Sequence, residues 1–363
     1  ANQQYPAVGG GLRIFRESVA RFMHRRFGVT VDPMKHVVAL LGSKDGIAHL
    51  PWAVTNPGDL VCFPEPAYPV YEVGSVLASC RTHKMPVSRE TGWKPRFDDI
   101  PADAARDARI CWVNYPSNPT AAGADVSFYE RMLEWTQRTW SGSARGCIAA
   151  SDLAYSELYF GPGGANKPVS LWQARNASIA DTMAVEFHSL SKTFNMTGWR
   201  IGFAVGHESI ISALAAIKAN VDSGTFNAIQ AAGAVALDRY DDPSIAGMRS
   251  LYQARRDVVV PGLRSIGCEV DDPPAGFFVW ARTPKGIDGR TIDSMTFAAR
   301  LLQQADTVVV PGAGFSSENA RDWFRIALTV EADRMGEAVE RLRRIDFTAP
   351  VPAGSGRSSR TPV

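Results

Sequence analysis

Short apolar runs alternate with amphipathic stretches along most of this 363-residue chain. The apolar runs are bounded by turn-forming residues and predict strands at 37–42, 60–63, 109–114, 147–152, 184–190 and 202–206, and 81–87 is a further strand candidate. The stretches between them have the composition of helices that cover both faces of a sheet. This alternation predicts an α/β fold with a mostly parallel sheet sandwiched by helices.

The clearest amphipathic stretch follows Gly11. Its apolar residues recur at helical spacing: Leu12, Phe15, Val19, Phe22 and Phe27. Charged residues fill the positions between them: Arg13, Arg16, Glu17, Arg21 and Arg25. We therefore expect one helix with a buried stripe and a solvent-facing side.

The chain is long enough for two domains. Residues 1–250 are predicted to form a large domain, and a helix at about 244–266 leads into a smaller α/β domain at 251–349. Residues 350–363 are rich in Pro, Gly, Ser and Arg and are predicted to be a disordered tail.

Composition excludes several classes of function. The net charge is +2, from 39 basic and 37 acidic residues that are scattered, so we expect no nucleic-acid partner. No run of eighteen apolar residues predicts a membrane span. The motifs C-x-x-C and H-E-x-x-H are absent, so no metal is expected. The five cysteines are odd in number and lie mostly in apolar runs, a pattern typical of reduced thiols in the cytoplasm.

The segment Ser189-Leu190-Ser191-Lys192 places one lysine among hydroxyl groups, and Arg200 follows eight residues later. A lysine amine can form a Schiff base with an aldehyde, whereas hydroxyl and guanidinium groups bind a phosphate monoester. Together these groups describe a site for pyridoxal 5'-phosphate. A surface lysine after a serine-rich turn is the alternative for this motif taken alone.

Four other segments follow predicted strands, where open α/β sheets bind ligands. Gly42–Ile47 is a turn whose backbone N–H groups can hold an anion, or simply a turn. Tyr68 can stack on a planar ring or pack in the core. Asn118 precedes a proline, and an Asn-Pro pair taken alone is more often a turn initiator than part of a site. Asp152 can pair with a ring nitrogen or cap a helix.

In order along nearly the whole chain, these segments resemble the motifs of fold type I, class I/II pyridoxal-phosphate-dependent aminotransferases. The resemblance implies that Lys192 binds the cofactor and acts as the base, that Asp152 pairs with the ring nitrogen, and that Tyr68 stacks on the ring. It also implies further cofactor contacts from the anion turn, the serine-lysine motif and two residues near the ring oxygen: Ser43, Lys44, Ser189, Ser191, Arg200, Asn118 and Tyr155.

The resemblance extends to substrate and partner contacts. Arg325, in Trp323-Phe324-Arg325-Ile326-Ala327-Leu328, matches an arginine that binds the substrate α-carboxylate. Asn118, Lys44 and Asn227 are further substrate-binding candidates. Tyr5 matches a tyrosine that contacts the cofactor phosphate of the other subunit, which implies a homodimer with shared active sites.

The lysine motif and the anion turn look most like those of LL-diaminopimelate aminotransferases, which use glutamate as donor and make a lysine and cell-wall precursor. Aspartate, alanine and succinyl-diaminopimelate aminotransferases share much of this pattern. A carbon–sulfur β-lyase of the same fold would use the same Lys192 and Asp152. A cofactor-binding regulator without turnover is the remaining alternative.

Overall fold

The structure is a computed structural model that describes residues 10–142, 146–286, 288–315 and 318–349, without the side chains of 140–142. These residues form two compact units. Within the described residues, the first comprises 10–253 and Pro273–Phe278, and the second comprises Ala254–Asp272 and 279–349. The predicted tail, 350–363, lies outside the described residues. The assignment of 1–250 and 251–349 as functional domains stays a prediction.

The first unit contains a seven-stranded sheet with strand order β1-β7-β6-β5-β4-β2-β3. The strands are β1 Val37–Leu40, β2 Leu60–Glu65, β3 Arg81–Pro86, β4 Ala108–Asn114, β5 Ile148–Asp152, β6 Ala184–Ser189 and β7 Gly202–Gly206. All neighbours pair in parallel except β7, which is antiparallel to both β1 and β6. The predicted strands and the mostly parallel sheet are confirmed.

Helices cover both faces of this sheet. They are α1 Arg13–Phe27, α2 Ser43–Val54, α3 Val70–Leu77, α4 Ala102–Asp107, α5 Val126–Gly142, α6 Leu190–Thr193, α7 Glu208–Val221 and α8 Asn227–Asp238, followed by α9 Pro243–Ser265. Alternate residues of β1 enter different cores: Val37 and Ala39 join one cluster, whereas Val38 and Leu40 join the other. Both faces are therefore buried, as continuous apolar strands require.

Helix α1 carries the predicted buried stripe, since Phe15, Val19 and Phe22 are fully buried. Arg16 departs from the prediction of a solvent-facing position. Its side chain is buried and its Nε donates a 2.7 Å hydrogen bond to the Pro33 carbonyl, and burial lowers the pKa of its guanidinium. The backbone of the following turn supplies acceptors that the helical pattern alone does not reveal.

The second unit has a four-stranded sheet of order β10-β11-β9-β8. Its elements are β8 Glu269–Val270, β9 Phe278–Arg282, α10 Ser294–Ala305, β10 Val310–Pro311, β11 Trp323–Ala327 and α11 Ala332–Leu342. The pairs β8–β9 and β10–β11 are antiparallel. None of the helices in the described part of the chain is both long enough and apolar enough to cross a membrane.

Candidate active site

Two polar residues end neighbouring strands of the first unit. Asn114 and Asp152 are register partners at the carboxyl ends of β4 and β5. The Asn114 side-chain amide donates to the Asp152 carbonyl oxygen at 2.7 Å, and its Oδ1 accepts from the Asn118 backbone N–H at 2.8 Å. Asn114 thereby joins the Asp152 strand end to the Asn118 turn, and both candidate residues are buried beside it.

The Asp152 carboxylate has one satisfied oxygen and one open oxygen. Its Oδ2 accepts a 2.8 Å hydrogen bond from the Tyr71 hydroxyl, whereas the buried Oδ1 has no hydrogen-bond partner within the described residues. Burial raises the pKa of Asp152 to about 7, against the opposing effects of the Tyr71 hydrogen bond, the Ala154 amide and the Lys192 charge. A protonated nitrogen at Oδ1 would supply the partner and the positive charge that this carboxylate lacks.

Lys192 lies on the short helix α6, directly after β6. Its Nζ is 5.0 Å from the ring centroid of Phe277, and its charge lowers the pKa of Asp152. Ser189 and Ser191 precede it and are buried, and the Ser191 Oγ has no hydrogen-bond partner among the described residues. The lysine and an unsatisfied hydroxyl therefore stand at the same strand end.

The anion turn, residues 42–47, begins helix α2. Gly42 has φ +82°, and α2 starts at Ser43, so the first N–H groups of the helix follow this turn. The Arg200 guanidinium lies against it: Nη2 donates to the Leu41 carbonyl at 3.0 Å, and a Cβ on Gly42 would lie 2.6 Å from that nitrogen. A helix N-terminus beside a guanidinium suits a phosphate group.

The aromatic candidates lie near these charged groups. The Lys44 Nζ is 5.3 Å from the ring centroid of Tyr68, and the Tyr68 ring packs edge-on against Tyr71 at 6.1 Å. Tyr155 is buried, and its ring packs edge-on against Phe277 at 5.5 Å. The Lys44 ammonium of the anion turn therefore contacts the ring of Tyr68, the residue that is predicted to stack on the cofactor.

The described contacts do not test the predicted roles of three further residues. Arg325 lies on β11 of the second unit, with its guanidinium 4.8 Å from the ring centroid of Phe315. Asn227 is buried at the start of α8 in the first unit. Tyr5 lies outside the described residues. Their predicted roles stay predictions.

Sequence reasoning missed Tyr71, Asn114 and Phe277. Tyr71 follows Tyr68 by three residues at the start of α3, so a helical turn there places both rings on neighbouring sides, and this spacing was an available signal. Asn114 ends a predicted strand, as Asp152 does. Phe277 lies 85 positions after Lys192, and no local pattern joins the two.

A second charged cluster lies behind the anion turn. One potential ligand atom from each of Asp45, His49 and Asp222 lies within 4.8 Å of the others. The Lys218 ammonium contacts Asp45 and lies 2.7 Å from Asp222, so a side-chain cation already pairs with both carboxylates. The absence of a metal stays a prediction.

A family model described as aminotransferase class I and II matches residues 3–342. The chain belongs to this aminotransferase family. The proteins similar to it include an LL-diaminopimelate aminotransferase from Syntrophobacter fumaroxidans, 43% identical over 96% of this chain and 84% of that protein. Another, from Aquifex aeolicus, is 42% identical over 95% of this chain and 84% of that protein. The resemblance found in the sequence motifs is confirmed.

Solved structures of other proteins have the same fold. The apo structure of BacF from Bacillus subtilis is 32% identical with a TM-score of 0.85, covering 94% of this chain and 86% of that one. A probable N-succinyldiaminopimelate aminotransferase from Thermus thermophilus is 30% identical with a TM-score of 0.81, and the match covers 91% of this chain and 83% of that one. The predicted fold class is confirmed, and the protein is an aminotransferase acting on amino acids and 2-oxo acids.

Proposed function

We propose that this aminotransferase uses pyridoxal 5'-phosphate to transfer an amino group between LL-diaminopimelate and 2-oxoglutarate. The substrate assignment is supported by the 40–43% identity to relatives named LL-diaminopimelate aminotransferase, over at least 94% of this chain. The two compact units correspond in this proposal to a large cofactor-binding domain, 1–250, and a small domain, 251–349.

The polar groups of the first unit fit this cofactor. Asp152 Oδ1 is an acceptor for the ring nitrogen, and the anion turn with Ser43, Lys44 and Arg200 is suited to the phosphate. The remaining proposed cofactor contacts come from Ser189, Ser191, Asn118, Tyr155 and, across the dimer, Tyr5. When bound, the cofactor supplies an aldehyde carbon for the amino group and an electron-withdrawing ring that stabilises negative charge at the substrate Cα.

Lys192 has two roles in the proposed reaction. Its Nζ would hold the cofactor aldehyde, and once an amino acid had taken its place the free amine would be the base for the proton on the substrate Cα. Asp152 keeps positive charge on the ring by presenting a carboxylate to the ring nitrogen. Tyr68 supports the ring by stacking, since an aromatic face and a pyridine ring attract at van der Waals contact.

Arg325 orients the substrate in this proposal. A guanidinium offers two parallel N–H donors to a carboxylate, so it fixes the amino acid in one orientation relative to the base. Asn118 and Lys44 are proposed as additional contacts to substrate, and Asn227 as a contact to its distal end.

We also propose a homodimer with shared active sites in the cytoplasm. Three apolar side chains of helix α3, Val73, Val76 and Leu77, are each more than half exposed, which supports a partner surface on this helix. All five cysteines are buried and free, which supports a reducing compartment. Sedimentation at assay concentration tests the dimer, and a fully active monomer would reject it.

The proposed reaction is tested by absorbance of the purified holoenzyme, titrated with LL-diaminopimelate, glutamate, aspartate, alanine and cystathionine without any 2-oxo acid. We expect LL-diaminopimelate and glutamate to convert the spectrum of the aldehyde form into that of the amine form, and 2-oxoglutarate to restore it. Release of pyruvate from cystathionine alone would instead identify a β-lyase. No spectral change with any donor would overturn the proposed reaction.

The lysine assignment needs its own test. Borohydride reduction followed by peptide mass analysis is expected to find the cofactor attached to Lys192, and Lys192→Ala to abolish this attachment. Lys35→Ala is the control, because Lys35 is exposed beside Glu208 and has no proposed role. Attachment to another lysine in the Lys192→Ala protein would show that the motif was assigned wrongly.

A further inference from the structure

The Tyr71 hydroxyl and the Asp152 carboxylate form a buried hydrogen bond between helix α3 and strand β5. The oxygen atoms are 2.8 Å apart, and Tyr71 and Asp152 are 1% and 4% exposed. The contact occupies one oxygen of the Asp152 carboxylate, and the other has no hydrogen-bond partner among the described residues.

Packing holds the Tyr71 ring in place. It stacks on Trp112 with centroids 5.2 Å apart and an interplanar angle of 25°, and Trp112 packs in turn against Phe187 at 5.4 Å. The Tyr68 ring contacts it edge-on from the preceding turn. A ring enclosed in this way cannot turn its hydroxyl away from Asp152 without disturbing the core.

We propose that Tyr71 is a positioning residue that keeps Asp152 a weak enough base for the proton to remain on the cofactor ring nitrogen. This inference rests on the proposed function, in which Asp152 Oδ1 pairs with that nitrogen. The Tyr71 hydroxyl binds Oδ2, directs Oδ1 to the ring and stabilises the negative charge of the carboxylate. Without this donor the carboxylate attracts the shared proton more strongly, and the ring becomes a poorer electron acceptor.

The other charged and polar groups around the pair act in both directions. Glu186, on the neighbouring strand β6, raises the pKa of Asp152, whereas Lys192 on α6 and the Ala154 amide lower it. Among these groups the Tyr71 hydrogen bond is the largest influence that opposes burial. Glu186 is itself held by the Ser170 hydroxyl at 2.6 Å and by His188 at 2.9 Å.

On the tyrosine side, burial is the main cause that raises the pKa of Tyr71 well above its usual value, and Asp152 adds to it. Tyr155 and Tyr68 also raise this pKa. The Tyr71 hydroxyl therefore stays protonated across the working pH range and remains a donor.

The experiment is solid-state ¹⁵N NMR of the holoenzyme reconstituted with cofactor labelled at the ring nitrogen. In the unchanged protein we expect the resonance of a protonated pyridine. In Tyr71→Phe, Asp152 becomes about tenfold more basic, since a hydrogen bond to a charged group is lost. The resonance should therefore move towards the position of a neutral pyridine, and an unmoved resonance would overturn the proposal.

Tyr115→Phe is the matched control. It removes the same atom from another buried tyrosine, whose hydroxyl donates to the Trp93 carbonyl at 2.6 Å. A merely structural role for Tyr71 predicts equal effects of the two substitutions on the ¹⁵N resonance. The positioning role predicts a shift in Tyr71→Phe alone.

Two further proteins make the outcomes distinct. Asp152→Asn should also move the resonance to the neutral position. If it does not, the Asp152 role in the proposed function fails, whereas a shift in Asp152→Asn without one in Tyr71→Phe rejects only the present inference.

Fluorotyrosine in place of Tyr71 keeps the ring and strengthens the donor, so the ring nitrogen must stay protonated. A shift towards neutral pyridine would contradict the proposal even if Tyr71→Phe did not fold.

Discussion

Replacing Lys218 with methionine is expected to destabilise the first unit by about 3–5 kcal/mol at neutral pH. The Lys218 side chain is 5% exposed, and its ammonium lies between carboxylates of two elements. Asp45 belongs to the first turn of α2, and Asp222 follows α7. Methionine keeps most of the side-chain volume but removes the cation, so both carboxylates would remain largely buried without it.

The magnitude follows from the separation of the two carboxylates. Candidate ligand oxygens of Asp45 and Asp222 lie within 4.8 Å of each other. At an effective dielectric constant of about 20, two like charges at this distance repel by about 3.5 kcal/mol. In the unchanged protein the attraction of the Lys218 ammonium for both carboxylates outweighs this repulsion. Removal of the ammonium should therefore cost at least a comparable free energy of unfolding.

The assay is urea-induced unfolding of the apoprotein, followed by tryptophan fluorescence, because bound cofactor would add its own stabilisation. Lys35→Met is the matched control: Lys35 pairs with Glu208 at 3.5 Å, both side chains are more than half exposed, and the expected loss is below about 1 kcal/mol. Adding Asp222→Asn to Lys218→Met should restore much of the lost stability. Equal losses for Lys218→Met and Lys35→Met, or no recovery in the double variant, would refute the reasoning.

Two other changes test the site. Gly42→Ala should weaken binding of pyridoxal 5'-phosphate more than of pyridoxal, because its Cβ would lie 2.6 Å from Arg200 Nη2. Gly28→Ala, also at positive φ but with no described atom within 4 Å, is the control, and equal affinities in the two variants would contradict the clash. The folded pKa of Asp152, about 7, exceeds its ordinary value of 3.8, so it should lower apoprotein stability as pH rises from about 4 to 7. Urea unfolding at pH 4 and 8 should show a smaller loss in Asp152→Asn, and the same loss in both proteins would show that Asp152 does not cause it.

Most strands and the order of the site segments could be predicted because buried strands of a parallel sheet are continuous apolar runs. Strand β3 is the exception, since its sequence is mostly polar and only Met85 in it is buried. Residues that end such runs, such as Asp152 and Ser189, therefore stood out locally. The antiparallel direction of β7 could not be predicted in this way, because its residues, 202–206, have the same apolar pattern as those of a parallel strand. Direction depends on the path of the connection rather than on the strand itself.

The missed contacts have a common physical cause. Tyr71 meets Asp152 across 81 positions of sequence, and Lys218 meets Asp45 across 173. The sequence around a tyrosine or a lysine does not indicate which hydrogen-bond acceptor the side chain will contact in the folded chain. Arg16 shows the same effect, since the backbone of the turn after α1 provides the acceptors that allow a charged side chain to be buried.

The sequence by itself determined the class of fold, the family and the residue types at each strand end, because periodicity, turn chemistry and motif spacing are local properties. Tertiary structure decided which of those groups have hydrogen-bond partners within the described residues and which have none. Asp152 illustrates the difference: its position is readable in the sequence, but its state depends on burial, on the Tyr71 hydroxyl and on an unsatisfied oxygen. Desolvation and hydrogen bonding are set by neighbours distant in sequence, so only the folded chain establishes them.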